Sequence, residues 1–321
     1  MRNLRSILVL SWVALWPAVG TGQFIEEEST GGALLGEEQT HRYQLGVRVT
    51  AAGGACRNIL ATIPVPQDWP EQSVRILSED TSPQVKKVRD RTLSGSVTQM
   101  IVEIPLLGKG REAHALRVYE IRRRAILMPK ETATLRIPAK VDRPLKRYLG
   151  TSPYIESRNS KIRLLSKQIL TETAEATDWE KVEAIYDQVR ERVAYENGSL
   201  KGALQALRDG HGDCEELSSL FIALCRAGKI PARTVWVPDH CYAEFYLEDG
   251  QGNGHWFPCQ PAGSRAFGEM LEPRPILQKG DNFRVPEKPR QNLRYLAEFL
   301  TGSPVGGGGK PKVEWIRRVL E

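Results

Sequence analysis

The 321-residue sequence has no Cys-x-x-Cys pair and no His-Glu-x-x-His motif, so a metal centre has little support in it. It has no acidic loop of the kind that holds calcium and no internal repeat, which argues against a solenoid. Beyond the N-terminal segment it has no apolar run long enough to span a bilayer. It also lacks a strong charge of either sign. The formal net charge is +6, and two of those charges, Arg2 and Arg5, precede the first apolar stretch. Arg122-Arg123-Arg124 and Lys86-Lys87 are short and fall in strand-like segments, where they read as solvated strand faces rather than a nucleic-acid surface. No cofactor, metal or nucleic-acid partner is expected.

The N-terminus supplies the compartment. Arg2 and Arg5 lead into the apolar run from Ile7 to Trp16, and Pro17 to Gly22 are mostly small residues suited to cleavage. Residues 1–22 are expected to be a signal peptide, which implies a secreted or periplasmic protein with no stable membrane insertion after cleavage. The other reading of this segment is an uncleaved membrane anchor. No cysteine lies near the cleavage point, which argues against a lipoprotein. All five cysteines, Cys56, Cys214, Cys225, Cys241 and Cys259, lie beyond the leader, and an odd number in an exported chain points to a free thiol.

From 41 to 143 the pattern is β. Tyr43, Leu45, Val47 and Val49 alternate, and 59–65, 74–77, 97–104 and 116–121 are further strand candidates, punctuated by Pro64, Pro66, Pro70 and Gly108-Lys109-Gly110. Regular short strands with turn signals predict an antiparallel β-sandwich, read as a scaffold without a site of its own. Residues 144–153, with Pro144, Gly150 and Pro153, read as a linker. Helical patterns follow. Ile162, Leu165 and Ile169 share a face, Thr177 to Glu180 forms a capping box before the stripe Val182, Ile185, Val189 and Val193, and 200–208 is a short helix. Residues 286–321 are expected to form a C-terminal tail without chemistry, amphipathic over 291–300 and with a possible closing strand at 313–320.

The chemistry concentrates at His211-Gly212-Asp213-Cys214-Glu215-Glu216. Asp213 is a good N-cap, Glu216 completes a capping box, and Leu217, Leu220, Phe221, Leu224 and Cys225 recur at helical spacing until Gly228. Cys214 therefore sits in the first helical turn, where unpaired N–H groups and the helix dipole favour thiolate. Glu215 and Glu216 oppose that effect. Two β-rich runs then flank Glu248 to Gly252 and read as a hairpin. A turn centred near Gly250 would set His240 opposite Gln260 and Cys241 opposite Cys259. The two cysteines would lie on the face away from the site, either bridged or packed as thiols. Cys214, His240 and Gln260 would then form a set of nucleophile, base and orienting partner.

This stretch resembles the transglutaminase-like superfamily. The resemblance is carried by Gly212-Asp213-Cys214, by the run from Leu224 to Arg233 with its Gly228-Lys229-Ile230-Pro231-Ala232-Arg233, by His240-Cys241-Tyr242-Ala243-Glu244-Phe245-Tyr246, and by Trp256-Phe257-Pro258-Cys259-Gln260-Pro261. It implies a papain-like α+β domain over 154–285 behind the β-sandwich, with Cys214 as nucleophile and His240 as base. Two positions depart from the family pattern: Gln260 stands where the family has aspartate, and Tyr242 where it has tryptophan. A neutral amide can accept from an imidazole N–H but cannot stabilise imidazolium by charge. The expected function is attack by Cys214 on a peptide, glutamine or asparagine amide, with the acyl group passing to water or to an amine. The alternative is a catalytically degenerate module that binds a peptide or a cell-envelope partner.

Overall fold

The computed structural model describes residues 32–93, 96–272 and 274–320, so the expected signal peptide lies outside the described residues. Six strands come first: β1 (Leu34–Thr50), β2 (Cys56–Val65), β3 (Gln72–Thr81), β4 (Lys87–Leu93), β5 (Val97–Leu107) and β6 (Glu112–Leu127). The alternation that sets Leu45, Val47 and Val49 on one face also sets Ile59, Ala61 and Ile63 of β2 and Met100, Val102 and Ile104 of β5 toward them. Together they close a core between two sheets.

Four helices follow, α1 (Ser160–Glu172), α2 (Asp178–Arg192), α3 (Ala203–Asp209) and α4 (Cys214–Ala227). Both capping boxes form as the sequence indicates, Thr177 with Glu180 on α2 and Asp213 with Glu216 on α4. Between the helices the two-residue strands β7 (Ala194–Tyr195) and β8 (His211–Gly212) pair in parallel and lead directly into α4. Helix α4 is buried along most of its length. It packs on an antiparallel sheet of β9 (Ala232–Val237), β10 (His240–Glu248), β11 (Gly254–Gln260), β12 (Ala266–Phe267) and β13 (Gln278–Lys279), in the order β12-β11-β10-β9-β13. Trp179 of α2 meets Phe245, Phe257 and Phe267 edge to face at 5.1–5.5 Å between ring centroids, which fixes the helices on the sheet. The molecule is α+β.

Four expectations need correction. The last two strands, β14 (Phe299–Pro304) and β15 (Lys312–Leu320), are not a tail. β14 pairs with β2 and β15 with β1, giving sandwich sheets ordered β15-β1-β6-β3 and β14-β2-β5-β4. Arg123 is not solvated: it is 0% exposed and donates to the Glu71 carbonyl at 3.4 Å. The cause is that β6 runs on from the sandwich under the second sheet, where Ile126 packs with Val235, Val237 and Tyr242.

The third correction is the hairpin register. Ala243 pairs with Cys259 and Glu248 with Gly254, two residues away from the expected alignment. The turn centres on Gln251 rather than Gly250 because the Asp249 carboxylate accepts the N–H groups of both Gln251 and Asn253, at 2.9 Å each. Cys241 therefore does not face Cys259, and all five cysteines are free thiols. The fourth concerns the face of Cys241. The alternation that points Ala243, Phe245 and Leu247 into the core beneath α4 puts Cys241 on that same side, toward the site rather than away from it.

A buried ionic chain joins the two parts of the molecule. Lys279 on β13 donates to Glu71, which precedes β3, at 2.6 Å and to Glu244 on β10 at 2.5 Å. Glu244 also accepts from Arg233 Nε at 2.7 Å. Gln72 exchanges two hydrogen bonds with the backbone of Ile276, at 3.0 and 2.6 Å.

Candidate active site

Asp213 closes the N-terminus of α4 by accepting the Glu215 N–H at 2.8 Å, while the Glu216 carboxylate takes the Asp213 N–H at 3.1 Å. The cap leaves Cys214 as the first helical residue, half-exposed, where a helix offers amide groups without an intrahelical acceptor. The same Glu216 also takes the Lys201 N–H at 2.9 Å. Its charge is thus spent on the loop before α3 and on the cap.

His240 opens β10 immediately after the two-residue turn Pro238-Asp239, with Asp239 in the left-handed region at φ 55°. Its Nε2 lies 3.0 Å from Gln260 Oε1. An amide oxygen only accepts, so Nε2 carries the proton and Nδ1 is left for the thiol. The expected trio of Cys214, His240 and Gln260 is brought together, although Gln260 falls level with Tyr242 rather than with His240. A shift of two keeps both side chains on one face, so the contact survives the change of register as a diagonal pair. The backbone of Gln260 is held too: its carbonyl accepts from the Tyr186 hydroxyl at 2.9 Å, which in turn accepts from Ala266 N–H at 3.0 Å.

The Cys214 thiol lies well below its ordinary range, at about 4. The largest cause is a hydrogen bond from the Cys241 side chain; burial opposes it, and His240 and the Cys241 N–H add to it. The opposition expected from Glu215 and Glu216 is met by local pairing. Glu216 is occupied in the cap, and Glu215 pairs with Arg294, whose guanidinium lies against the rings of Trp236 and Tyr154. Burial raises Glu215, and the Arg294 charge and hydrogen bond counter it. Asp213 is raised to about 6 by burial and by its neighbour Glu216.

A cleft of about 710 Å³ opens over the thiol. Tyr195, Trp236 and Tyr295 line it, as do Tyr43 of β1 and Val319 of β15. The sandwich is therefore more than a scaffold: the pair of strands that leaves its core forms one wall of the cleft. Sequence reading missed this wall, as well as Arg294, Cys241 and Tyr186. Only Cys241 carried a local signal, its place beside His240. Among the described residues no group of three or more His, Cys, Asp or Glu could hold a metal ion, and no helix is long and apolar enough to cross a membrane.

A helix-borne thiol beside a strand-borne histidine, on an antiparallel sheet, defines a papain-like arrangement. Residues 164–261 match the family model described as the transglutaminase-like superfamily, and this stretch is a transglutaminase-like domain. The fold as a whole is similar to a solved protein from Cytophaga hutchinsonii described as a "putative cysteine protease", with 18% identity, a TM-score of 0.54 and coverage of 88% of this chain and 93% of that one. A second solved structure, described as a "putative protease" from Parabacteroides distasonis, aligns at 14% identity and a TM-score of 0.27, over 72% of this chain and 48% of that one. Comparison with curated proteins gives no match.

Proposed function

We propose that the protein is an exported cysteine-dependent enzyme that transfers the acyl group of an amide. The observation that carries this reading is the Cys214 thiol at the head of α4, lining one cleft together with His240, whose far nitrogen is held by Gln260. Cys214 thiolate attacks the carbonyl of a peptide bond or of a glutamine or asparagine side-chain amide. The Cys214 N–H, at the positive end of the helix dipole, supports the oxyanion. Protonated His240 gives its proton to the departing amine, leaving a thioester on Cys214. Water or a lysine amine then attacks the thioester, His240 takes a proton from it, and the thiol is released. The open aromatic cleft, with walls from both parts of the molecule, suits a protein or peptide chain as substrate. Export rests on the leader-like layout of residues 1–22.

The test is turnover of peptide amides by the wild type beside Cys214→Ala, with folding followed by thermal melting. Loss of turnover in a folded variant supports the reading, and unchanged turnover refutes it at this site. A wild type that binds peptides but never turns them over would leave a binding module.

A further inference from the structure

Three arginines and no carboxylate line a recess of about 530 Å³ where the sandwich meets the second sheet. It shares no lining residue with the cleft over Cys214. One wall is a single 3-10 turn, Leu145–Leu149, in the segment between the sandwich and α1. The Asp142 carbonyl accepts the N–H groups of Leu145 and Lys146, at 3.0 and 3.1 Å, and so fixes the turn that follows Arg143 and carries Arg147. The Arg143 side chain has no ion pair or hydrogen-bond partner among the described residues. The Arg147 guanidinium lies 5.7 Å from the centre of the Tyr148 ring. Tyr148 in turn meets Trp256 of β11 edge to face at 5.2 Å, which ties the turn to the sheet. The opposite wall is Arg233, at the start of β9. Its guanidinium carbon stands 3.9 Å from the centre of the Trp256 ring, and its Nε donates to Glu244 at 2.7 Å. The Arg233 Nη groups bond no carboxylate or carbonyl among the described residues. Ser96, just before β5, closes the remaining side, held by its carbonyl to the Lys279 N–H at 3.1 Å.

We propose that this recess binds a phosphate group, free or as the monoester of a small organic molecule. The proposal does not rest on the reading of Cys214. Charge is the first argument. Arg233 and Lys279 are balanced by Glu244 and Glu71 within the buried ionic chain. Arg143 comes on top of that balance, and Arg147 beside it adds to the positive field. A dianion answers such a field better than a single carboxylate does. Geometry is the second. Guanidinium forks match phosphate oxygens, and Arg233 is held in place by a ring on its face and a carboxylate on its Nε edge, so little side-chain freedom is lost on binding. Size is the third. The volume exceeds what a bare phosphate fills and lies in the range of small-molecule sites, and Tyr148 and Trp256 offer apolar surface to whatever carries the phosphate.

The experiment is calorimetric titration of the whole protein with inorganic phosphate, phenyl phosphate and benzoate. It compares the wild type with Arg143→Ala, Arg147→Ala, the double variant and Cys214→Ala. The wild type and Cys214→Ala should bind the phosphate probes alike, at one site, with an affinity that falls as salt rises. Each arginine change should weaken binding by about tenfold or more, and the double variant should show none. Both arginines are exposed, so these variants should keep the wild-type melting temperature. Tighter binding of phenyl phosphate than of inorganic phosphate assigns the recess to a monoester, and the reverse order to free phosphate. Benzoate should bind more weakly than phenyl phosphate, and equal affinity would overturn the preference for phosphate. A wild type that binds neither phosphate probe, or a double variant that binds them as the wild type does, would overturn the site. Loss of binding in Cys214→Ala would move the probe to the other cleft and overturn it as well.

Discussion

His240 and Gln260 meet diagonally across β10 and β11, Nε2 to Oε1 at 3.0 Å, at the open end of the hairpin whose turn is tied by Asp249. The imidazole is thereby held in the tautomer that leaves Nδ1 toward Cys214, without a charge to stabilise its protonated form.

Replacing Gln260 separates those two roles. Gln260→Ala should lose orientation and slow peptide-amide turnover by about tenfold to a thousandfold, less than removal of the base. Gln260→Asp should equal or exceed the wild type, since it restores a charged partner. Steady-state kcat and KM for the three proteins decide the point, and a wild-type rate in the alanine variant would place the orienting group elsewhere.

Arg294 screens the thiolate from Glu215. Arg294→Ala leaves the Glu215 carboxylate beside Cys214 without its cation, so the Cys214 alkylation midpoint should rise and the rate at mildly acidic pH should fall by on the order of two- to tenfold. Glu215→Gln in the same background should bring the midpoint back down. If Arg294→Ala leaves the profile unchanged, Glu215 is already screened by water.

Lys279 lies between two buried carboxylates. Burial alone would raise Glu244, but Arg233 and Lys279 together hold it down at about 2. Its folded value is below its unfolded one, so its contribution to stability is complete above the ordinary carboxylate range and disappears as the pH falls toward 2. Lys279→Met should cost about 3–5 kcal/mol in denaturant unfolding at neutral pH, because it leaves buried charge unpaired. The loss of stability over pH 4.5 to 2 should also be shallower than in the wild type. An unfolding midpoint like that of the wild type would show that water reaches the cluster.

Local signals in the sequence were enough for the head of α4. Asp213, Glu216 and the stripe behind them act within two turns of backbone, and the cap, the thiol position and the helix stop all follow from them. The strands of the sandwich were legible for the same reason, since alternation at 43–49 is a property of one strand. Register was not: it turned on whether Asp249 would fold its carboxylate back onto Gln251 and Asn253, a signal present in the sequence but easily outvoted by Gly250. The burial of Arg123, the pairing of Arg294 with Glu215, and the return of β14 and β15 to the first two strands depend on contacts between residues far apart in the chain, for which no local pattern exists. The face of Cys241 is a separate matter, since a shift of two leaves each side chain on its own face; it is the packing of Ala243, Phe245 and Leu247 beneath α4 that sets the side of that alternation.

The pairing of β15 with β1 also bears on biosynthesis. Tyr43 and Val319, neighbours across that ladder, both line the cleft over Cys214, yet they belong to the first and last strands of the described chain. On a translating ribosome the helix with its thiol emerges long before β15 exists to close that wall. The nascent protein thus carries a Cys214 whose cleft is unfinished, and that wall is completed only once β15 has been translated and has paired with β1.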